Sequence, residues 1–242
     1  DIAVINADQE WADDWRRRAG EARIMDFSVR GDAAISLVSQ RSMGIEGSEF
    51  CANTPVGELA VRLALPGAHN VGNALAVIAV GLACGLGLEE IRDGLESVRP
   101  VAGRLSCQRN EAGTLVVDDC YNANPGSVRA AIDTLADNAG RRTLVLGAMR
   151  ELGPESAAMH AEMGCYARDA GLDGFWGVGE ELRPAVAAFG DRARWFADCD
   201  AAVTALPGSF TSGDVVLVKG SRGARMERVL EQLQGRAGAV VA

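Results

Sequence analysis

The 242-residue chain carries 24 basic and 33 acidic side chains, a net charge of −9, and 48% hydrophobic residues. That balance argues against a general nucleic-acid or anionic-membrane binder and describes a globular protein able to bury a core. Six cysteines without C-x-x-C or metal-ligand spacing, two distant histidines and the lack of a long apolar run predict neither a zinc site nor a membrane span.

Taken in chain order, Ile2–Ile5 is predicted as a strand and 9–18 as a helix carrying Trp11 and Trp15 at i,i+4. With no secretory signal ahead of it, the chain reads as though it starts inside a domain, and a cytoplasmic setting with reduced thiols is expected. Short strands follow at Ala33–Val38, Ser48–Ala52 and Leu59–Leu65, with a hairpin turn at Pro55. Helices are expected from Asn70 to about Cys84 and from Leu88 to about Ser97. Pro100-Val101-Ala102-Gly103-Arg104 is the best linker, dividing the chain into residues 1–102 and 103–242. Beyond it, strands at Leu115–Val117, Thr143–Leu146, Phe175–Val178, Arg194–Phe196 and Val215–Val218 alternate with helices near 127–138, 155–170, 180–189 and 199–205. This alternation predicts an α/β fold with a doubly wound, mainly parallel sheet. A last helix is expected over 222–234, followed by a frayed tail from Gly235 to Ala239.

The richest segment is Asp118-Asp119-Cys120-Tyr121-Asn122-Ala123-Asn124-Pro125-Gly126-Ser127, which lies between the apolar run Leu115-Val116-Val117 and a helical repeat at Val128, Ala131, Ile132 and Leu135. Polar turns after buried parallel strands are where open α/β sheets build ligand sites. The plainer alternative is a turn whose Asp and Asn only cap the helix. Asn70 and Asn73 are three apart and share a helix face, and a primary amide can pair with the N6/N7 edge of adenine. Asn70 serving only as a helix cap is an equal alternative. Lys219 is the one lysine, in Val218-Lys219-Gly220-Ser221-Arg222, and Gly-Lys-Ser/Thr occurs nowhere, so no Walker A loop grips a nucleotide here.

Taken together, Gly67-x-His69-Asn70-x-x-Asn73-Ala74-Leu75-Ala76, Gly103-Arg104, Asp118-Asp119-x-Tyr121-Asn122-Ala123-Asn124-Pro125, Met149-x-Glu151-Leu152-Gly153 and Lys219-Gly220-Ser221-Arg222 resemble the Mur ligase family. These are ATP-dependent amide-forming enzymes of peptidoglycan precursor synthesis. The Tyr-Asn-Ala-Asn-Pro segment is similar to that of the member adding D-Ala-D-Ala to UDP-N-acetylmuramoyl-tripeptide. The resemblance implies a Rossmann-like C-terminal ligase domain preceded by the second half of a central ATPase domain. The phosphate loop, the magnesium-holding carboxylates and a modified lysine are then expected outside this sequence, and the chain alone is expected to be inactive.

Family roles carry over by position. Asn70 and Asn73 would bracket the adenine of ATP, Arg104 would lie near its phosphates, and Asp119 would meet the ribose. Tyr121, Asn122 and Asn124 would face the incoming dipeptide and the acyl-phosphate, with Ser221 also on the substrate. Lys219, Arg222 and Asn124 are the expected catalytic residues, the first two opening the last helix. His160 matches a favoured position of unassigned role. Two departures are Ala148 in place of the usual aspartate and Cys120 in place of serine. The implied ligands are ATP, Mg2+, UDP-N-acetylmuramoyl-tripeptide and D-Ala-D-Ala, acting on a monomer. Other readings are an amino-acid-adding or folylpolyglutamate-type ligase, or a non-catalytic nucleotide- or dipeptide-binding module.

Overall fold

The computed structural model describes residues 1–235, so residues 236–239 of the expected tail lie outside the described residues. The chain divides into two compact units, Asp1–Arg99 and Pro100–Ala242.

The first unit holds a five-stranded sheet in the order β1 (Ile2–Asn6), β2 (Arg23–Ser28), β3 (Ile35–Ser42), β4 (Ser48–Thr54), β5 (Gly57–Leu63). The first three strands run parallel, and β3-β4-β5 is an antiparallel meander whose last turn carries Pro55. Helix α1 (Ala12–Arg18) links β1 to β2, and α2 (Ala68–Ala83) and α3 (Leu88–Ser97) complete the unit. Val71, Leu75 and Ile78 of α2 fall at helical spacing, and with Ile91 and Leu95 of α3 they join Met25, Ile35, Phe50, Leu59, Val61 and Leu63 in one core. Strand β2 was not predicted, because Arg23 and Asp26 interrupt its apolar run. The fold accommodates Asp26 by hydrogen bonds from the Ala34 N–H at 2.8 Å and Arg16 Nη2 at 2.7 Å.

The second unit is built on a six-stranded sheet. Its strands in chain order are β6 (Ser106–Arg109), β7 (Leu115–Asp119), β8 (Arg142–Gly147), β9 (Gly174–Val178), β10 (Ala193–Phe196) and β11 (Val215–Lys219). The spatial order is β10-β9-β8-β11-β7-β6, parallel except for the antiparallel edge strand β6. The connecting helices are α4 (Pro125–Ala136), α5 (Ser156–Asp169), α6 (Arg183–Phe189) and α7 (Cys199–Ala205), and α8 (Glu227–Leu233) follows β11. Val116, Val145, Trp176, Val178, Val216 and Val218 point to one face and pack on Cys199 and Ala202 of α7 and on Val229, Leu230 and Leu233 of α8. Helices α4, α5 and α6 pack together against the other face. The sheet is therefore doubly wound, as predicted. Strand β6 escaped prediction because it is four residues long and polar, as edge strands often are.

The last helix differs from expectation. Residues Arg222–Ala224 form a 3-10 turn, Arg225 adopts a left-handed conformation at φ 53°, and α8 begins only at Glu227. Lys219, Ser221 and Arg222 therefore do not open a helix.

Three carboxylates give the fold a defined acid response. Burial opposes ionisation of Asp26, Asp173 and Asp214. In each case backbone N–H donors and the Arg16, Arg142 or Arg141 guanidinium outweigh it and hold the carboxyl below its ordinary value. The unfolded chain then takes up protons first. Stability from these groups is full above their unfolded pKa of about 4 and is lost as pH falls through the lower folded values. Urea midpoints measured from pH 7 down to pH 3 are expected to fall, with the slope reduced in Asp214→Asn and Asp173→Asn.

Candidate functional site

Doubly wound sheets place their sites at the carboxyl edge, where neighbouring strands send their helices to opposite faces. In the second unit that condition holds for β11 against both of its neighbours, since β7 and β8 lead into α4 and α5 while β11 leads into α8. The three loops leaving these strands are 120–124, 148–155 and 220–226. They carry three of the chemistry-bearing motifs found in the sequence, brought side by side by strand order alone.

At their centre, Lys219 and Asp119 are register partners on adjacent parallel strands, so both side chains lie on the same face. Lys219 is 2% exposed, and its Nζ donates to Asp119 Oδ2 at 2.5 Å and to the Asn122 carbonyl at 2.9 Å. Burial pushes the Asp119 carboxyl up. The Lys219 ammonium and the Leu105 backbone N–H offset part of that rise. The oxygen expected to meet a ribose is thus engaged by Lys219, and the lone lysine ties the β7 and β11 loops together.

The remaining predicted residues separate by what they touch. Asn124 is the N-cap of α4: its Oδ1 accepts from the Ser127 N–H at 2.8 Å, and Ser127 Oγ accepts from the Asn124 N–H at 3.0 Å. Asn122 folds its own Oδ1 back onto the Ala123 N–H at 2.9 Å. Tyr121 is 53% exposed, and its ring lies under the Arg104 guanidinium at 4.4 Å. Ser221 is buried, and its hydroxyl has no hydrogen-bond partner among the described residues. Arg222 is exposed at the start of the 3-10 turn. Cys120 is buried and donates to the Val218 carbonyl at 3.5 Å; burial and Asp118 push its thiol far above the ordinary value, so it is no nucleophile.

His160 is buried on α5. Its Nε2 accepts from the Met149 N–H at 3.0 Å, which leaves Nδ1 as the protonated nitrogen donating to the Ser156 carbonyl at 2.8 Å. It thus braces the loop after β8, where Ala148 is buried and its carbonyl accepts from the Ser221 N–H at 3.1 Å.

Sequence reasoning missed the cleft beside this centre. Arg150, Arg225 and Arg228 line a space of about 250 Å³ together with Ala148, Gly179, Glu181, Asp198, Cys199 and Gly223. Arg228 pairs with Asp200, whereas Arg150 and Arg225 have no ion-pair partner among the described residues. Arg150 and Arg225 share this lining with the carboxylates of Glu181 and Asp198, so the cleft carries charges of both signs. Among the described residues, the three non-glycine ones with left-handed backbone, Leu105, Glu151 and Arg225, all lie in loops at this carboxyl edge. Such strain clusters at functional sites.

The first unit presents Asn70 and Asn73 in the first turns of α2, as predicted. Gly67, not Asn70, occupies the N-cap. Asn70 Nδ2 donates to the Pro66 carbonyl at 2.8 Å, and Asn73 Nδ2 donates to Asn70 Oδ1 at 3.3 Å. The pair therefore fixes the direction of the exposed Asn73 amide.

The Mur ligase middle domain model matches residues 1–81, and the model described as Mur ligase, glutamate ligase domain matches residues 103–222. The chain belongs to the Mur ligase family. The middle-domain match falls within the first unit and the glutamate-ligase-domain match within the second. A UDP-N-acetylmuramoyl-tripeptide–D-alanyl-D-alanine ligase from Escherichia coli is 38% identical over 96% of this chain and 52% of its own length. Among solved structures, MurF from Acinetobacter baumannii superposes with a TM-score of 0.87 at 31% identity, covering 97% of this chain and 51% of that one. MurF from Thermotoga maritima in complex with ADP gives 0.81 at 26% identity, over 97% and 53%. The chain thus spans about half the length of the curated relatives it matches. Among the described residues, no helix is long and apolar enough to cross a membrane, and no cluster of three or more His, Cys, Asp or Glu is arranged to hold a metal ion.

Proposed function

We propose that this chain forms part of an ATP-dependent ligase that joins D-Ala-D-Ala to UDP-N-acetylmuramoyl-tripeptide, and that alone it binds ligands without turning them over. The observation that carries the reading is the convergence of the Asp119, Ala148 and Lys219 loops at the carboxyl edge of β7, β8 and β11. The D-alanyl-D-alanine ligase of Escherichia coli named above supports the same substrate assignment.

A free dipeptide is a zwitterion with a carboxylate at one end and an amine at the other. The cleft offers Arg150 and Arg225 to the carboxylate and carries the opposite charge on Glu181. Ser221 and Tyr121, on the neighbouring loops, would orient the amine end, and Arg222 would meet a developing oxyanion. Lys219 holds Asp119 and the Asn122 carbonyl, and so fixes the loop that carries Tyr121 and Asn124. Catalysis by such a site is mainly positioning and charge stabilisation.

The nucleotide fit is consistent within each unit. The Asn73 amide, oriented by Asn70, suits an adenine edge. Arg104, stacked and without a carboxylate partner among the described residues, suits a phosphate. ATP would supply the phosphoryl group that activates the tripeptide carboxylate. Magnesium would be held by residues outside this sequence.

Calorimetric titration tests the acceptor assignment. D-Ala-D-Ala is expected to bind this chain and L-Ala-L-Ala to bind at least about tenfold more weakly, with Arg150→Ala/Arg225→Gly losing most of the D-Ala-D-Ala affinity. Equal binding of both enantiomers, or no loss in the double variant, would sink the assignment.

A further inference from the structure

The linker arginine is held in place by two residues that the function above does not use for that purpose. Because β6 runs antiparallel to β7 with Ser106 opposite Asp118, the turn before β6 lies beside the loop after β7. Asp118 Oδ2 accepts from the Gly103 N–H at 2.8 Å, and its Oδ1 accepts from the Cys120 N–H at 3.1 Å. The Gly103 carbonyl accepts in turn from the Tyr121 N–H at 3.1 Å, and the Arg104 N–H closes a turn onto the Val101 carbonyl at 3.0 Å. Gly103 and Leu105, on either side of Arg104, are both left-handed at φ 78° and 55°. Leu105 is buried, which keeps its strained backbone in place. A side chain at Gly103 would also crowd Tyr121, whose Cβ lies 3.3 Å from where its own Cβ would be.

These contacts fix the backbone on both sides of Arg104, and the Tyr121 ring then fixes its side chain. A free arginine on a linker loses rotamer freedom on meeting an anion. Here that ordering is already made.

We propose that Asp118 and Tyr121 are positioning residues that aim Arg104 at an anionic group, a role that rests on the nucleotide reading above for the identity of that anion as a phosphate. Tyr121 thereby acts through Arg104 and not only as a wall of the dipeptide site.

Nuclear magnetic resonance of the arginine-labelled chain, with inorganic pyrophosphate as probe, tests this. In the unsubstituted protein, Tyr121 ring currents should displace the Arg104 side-chain signals, and the Gly103 amide should exchange slowly. Tyr121→Phe should keep both features. Tyr121→Ala should lose the Arg104 displacement but keep Gly103 protected. Asp118→Ala should lose both, with Gly103 protection falling about tenfold or more. Should Asp118→Ala fail to fold, Asp118→Asn removes one of the two acceptors and should give an intermediate effect.

Pyrophosphate should shift the Arg104 signals in the unsubstituted protein and in Tyr121→Phe at about tenfold lower concentration than in Tyr121→Ala or Asp118→Ala. Equal concentrations across all four proteins, or Arg104 signals unchanged by Asp118→Ala, overturn the positioning role. Failure of the phosphate reading has its own signature: Arg104→Ala would bind pyrophosphate as tightly as the unsubstituted protein, while the Gly103 protection and the Arg104 ring-current displacement were seen as expected in the unsubstituted protein. That result removes the role together with its anion.

Discussion

Replacing Lys219 with methionine is expected to destabilise the second unit by about 3–5 kcal/mol, because it leaves the Asp119 carboxylate buried without its counter-ion. Both members of the pair are well covered, with side chains 3% and 13% exposed, so solvent cannot replace the lost ammonium. The Asn122 carbonyl loses a donor at the same time. Burial already raises the Asp119 carboxyl, and removing Lys219 raises it further. A raised folded-state value contributes stability at low pH that is lost as pH rises. The deficit of Lys219→Met should therefore shrink on acidification. The double variant Asp119→Asn/Lys219→Met should recover much of the loss at neutral pH. Urea unfolding followed by the fluorescence of the buried Trp176 supplies the cycle. Additive single and double changes would contradict a coupled pair.

Gly164→Ala should be nearly as costly, at about 3 kcal/mol, from a single added methyl group. Gly164 lies on α5 where it meets α6, and a Cβ there would fall 2.1 Å from the Ala185 carbonyl oxygen and 2.8 Å from its carbon. These are backbone atoms inside a helix, so relief requires moving α6 against β9. Gly171→Ala is the control. It shows nothing within 4 Å of an added Cβ but has φ 76°, so it should cost only the smaller left-handed penalty of about 1 kcal/mol. Equal unfolding midpoints for the two variants would show that the α5–α6 approach is not as close as described.

What the sequence disclosed follows from burial. Strands β8, β9 and β11 are covered on both faces and read as continuous apolar runs, so they were found within one residue at each end. Strand β2 holds Asp26 and Arg23, and the Arg16 and Ala34 contacts that make Asp26 tolerable are invisible without the fold. The site was legible as residue types but not as partners. Lys219 stood out as the lone lysine, yet its carboxylate partner lies one hundred positions away and meets it only because β11 inserts between β7 and β8. Arg104 was read as a nucleotide contact. Its stacking on Tyr121 depends on an antiparallel edge strand that the pattern did not reveal. Left-handed backbone at Leu105, Glu151 and Arg225 carries no sequence signal, since none is glycine or asparagine. The cleft arginines were missed for a simpler reason: among 23 arginines, nothing in the sequence marks Arg150 and Arg225 as lining a common cleft.

The most direct test of the central claim is amide shift mapping of this chain during titration with D-Ala-D-Ala. Perturbations confined to residues 119–124, 148–155 and 220–228 would place the dipeptide at the carboxyl edge of β7, β8 and β11, as the proposed ligase function requires. Perturbations centred elsewhere, or a saturating titration that leaves those three loops unmoved, would contradict it.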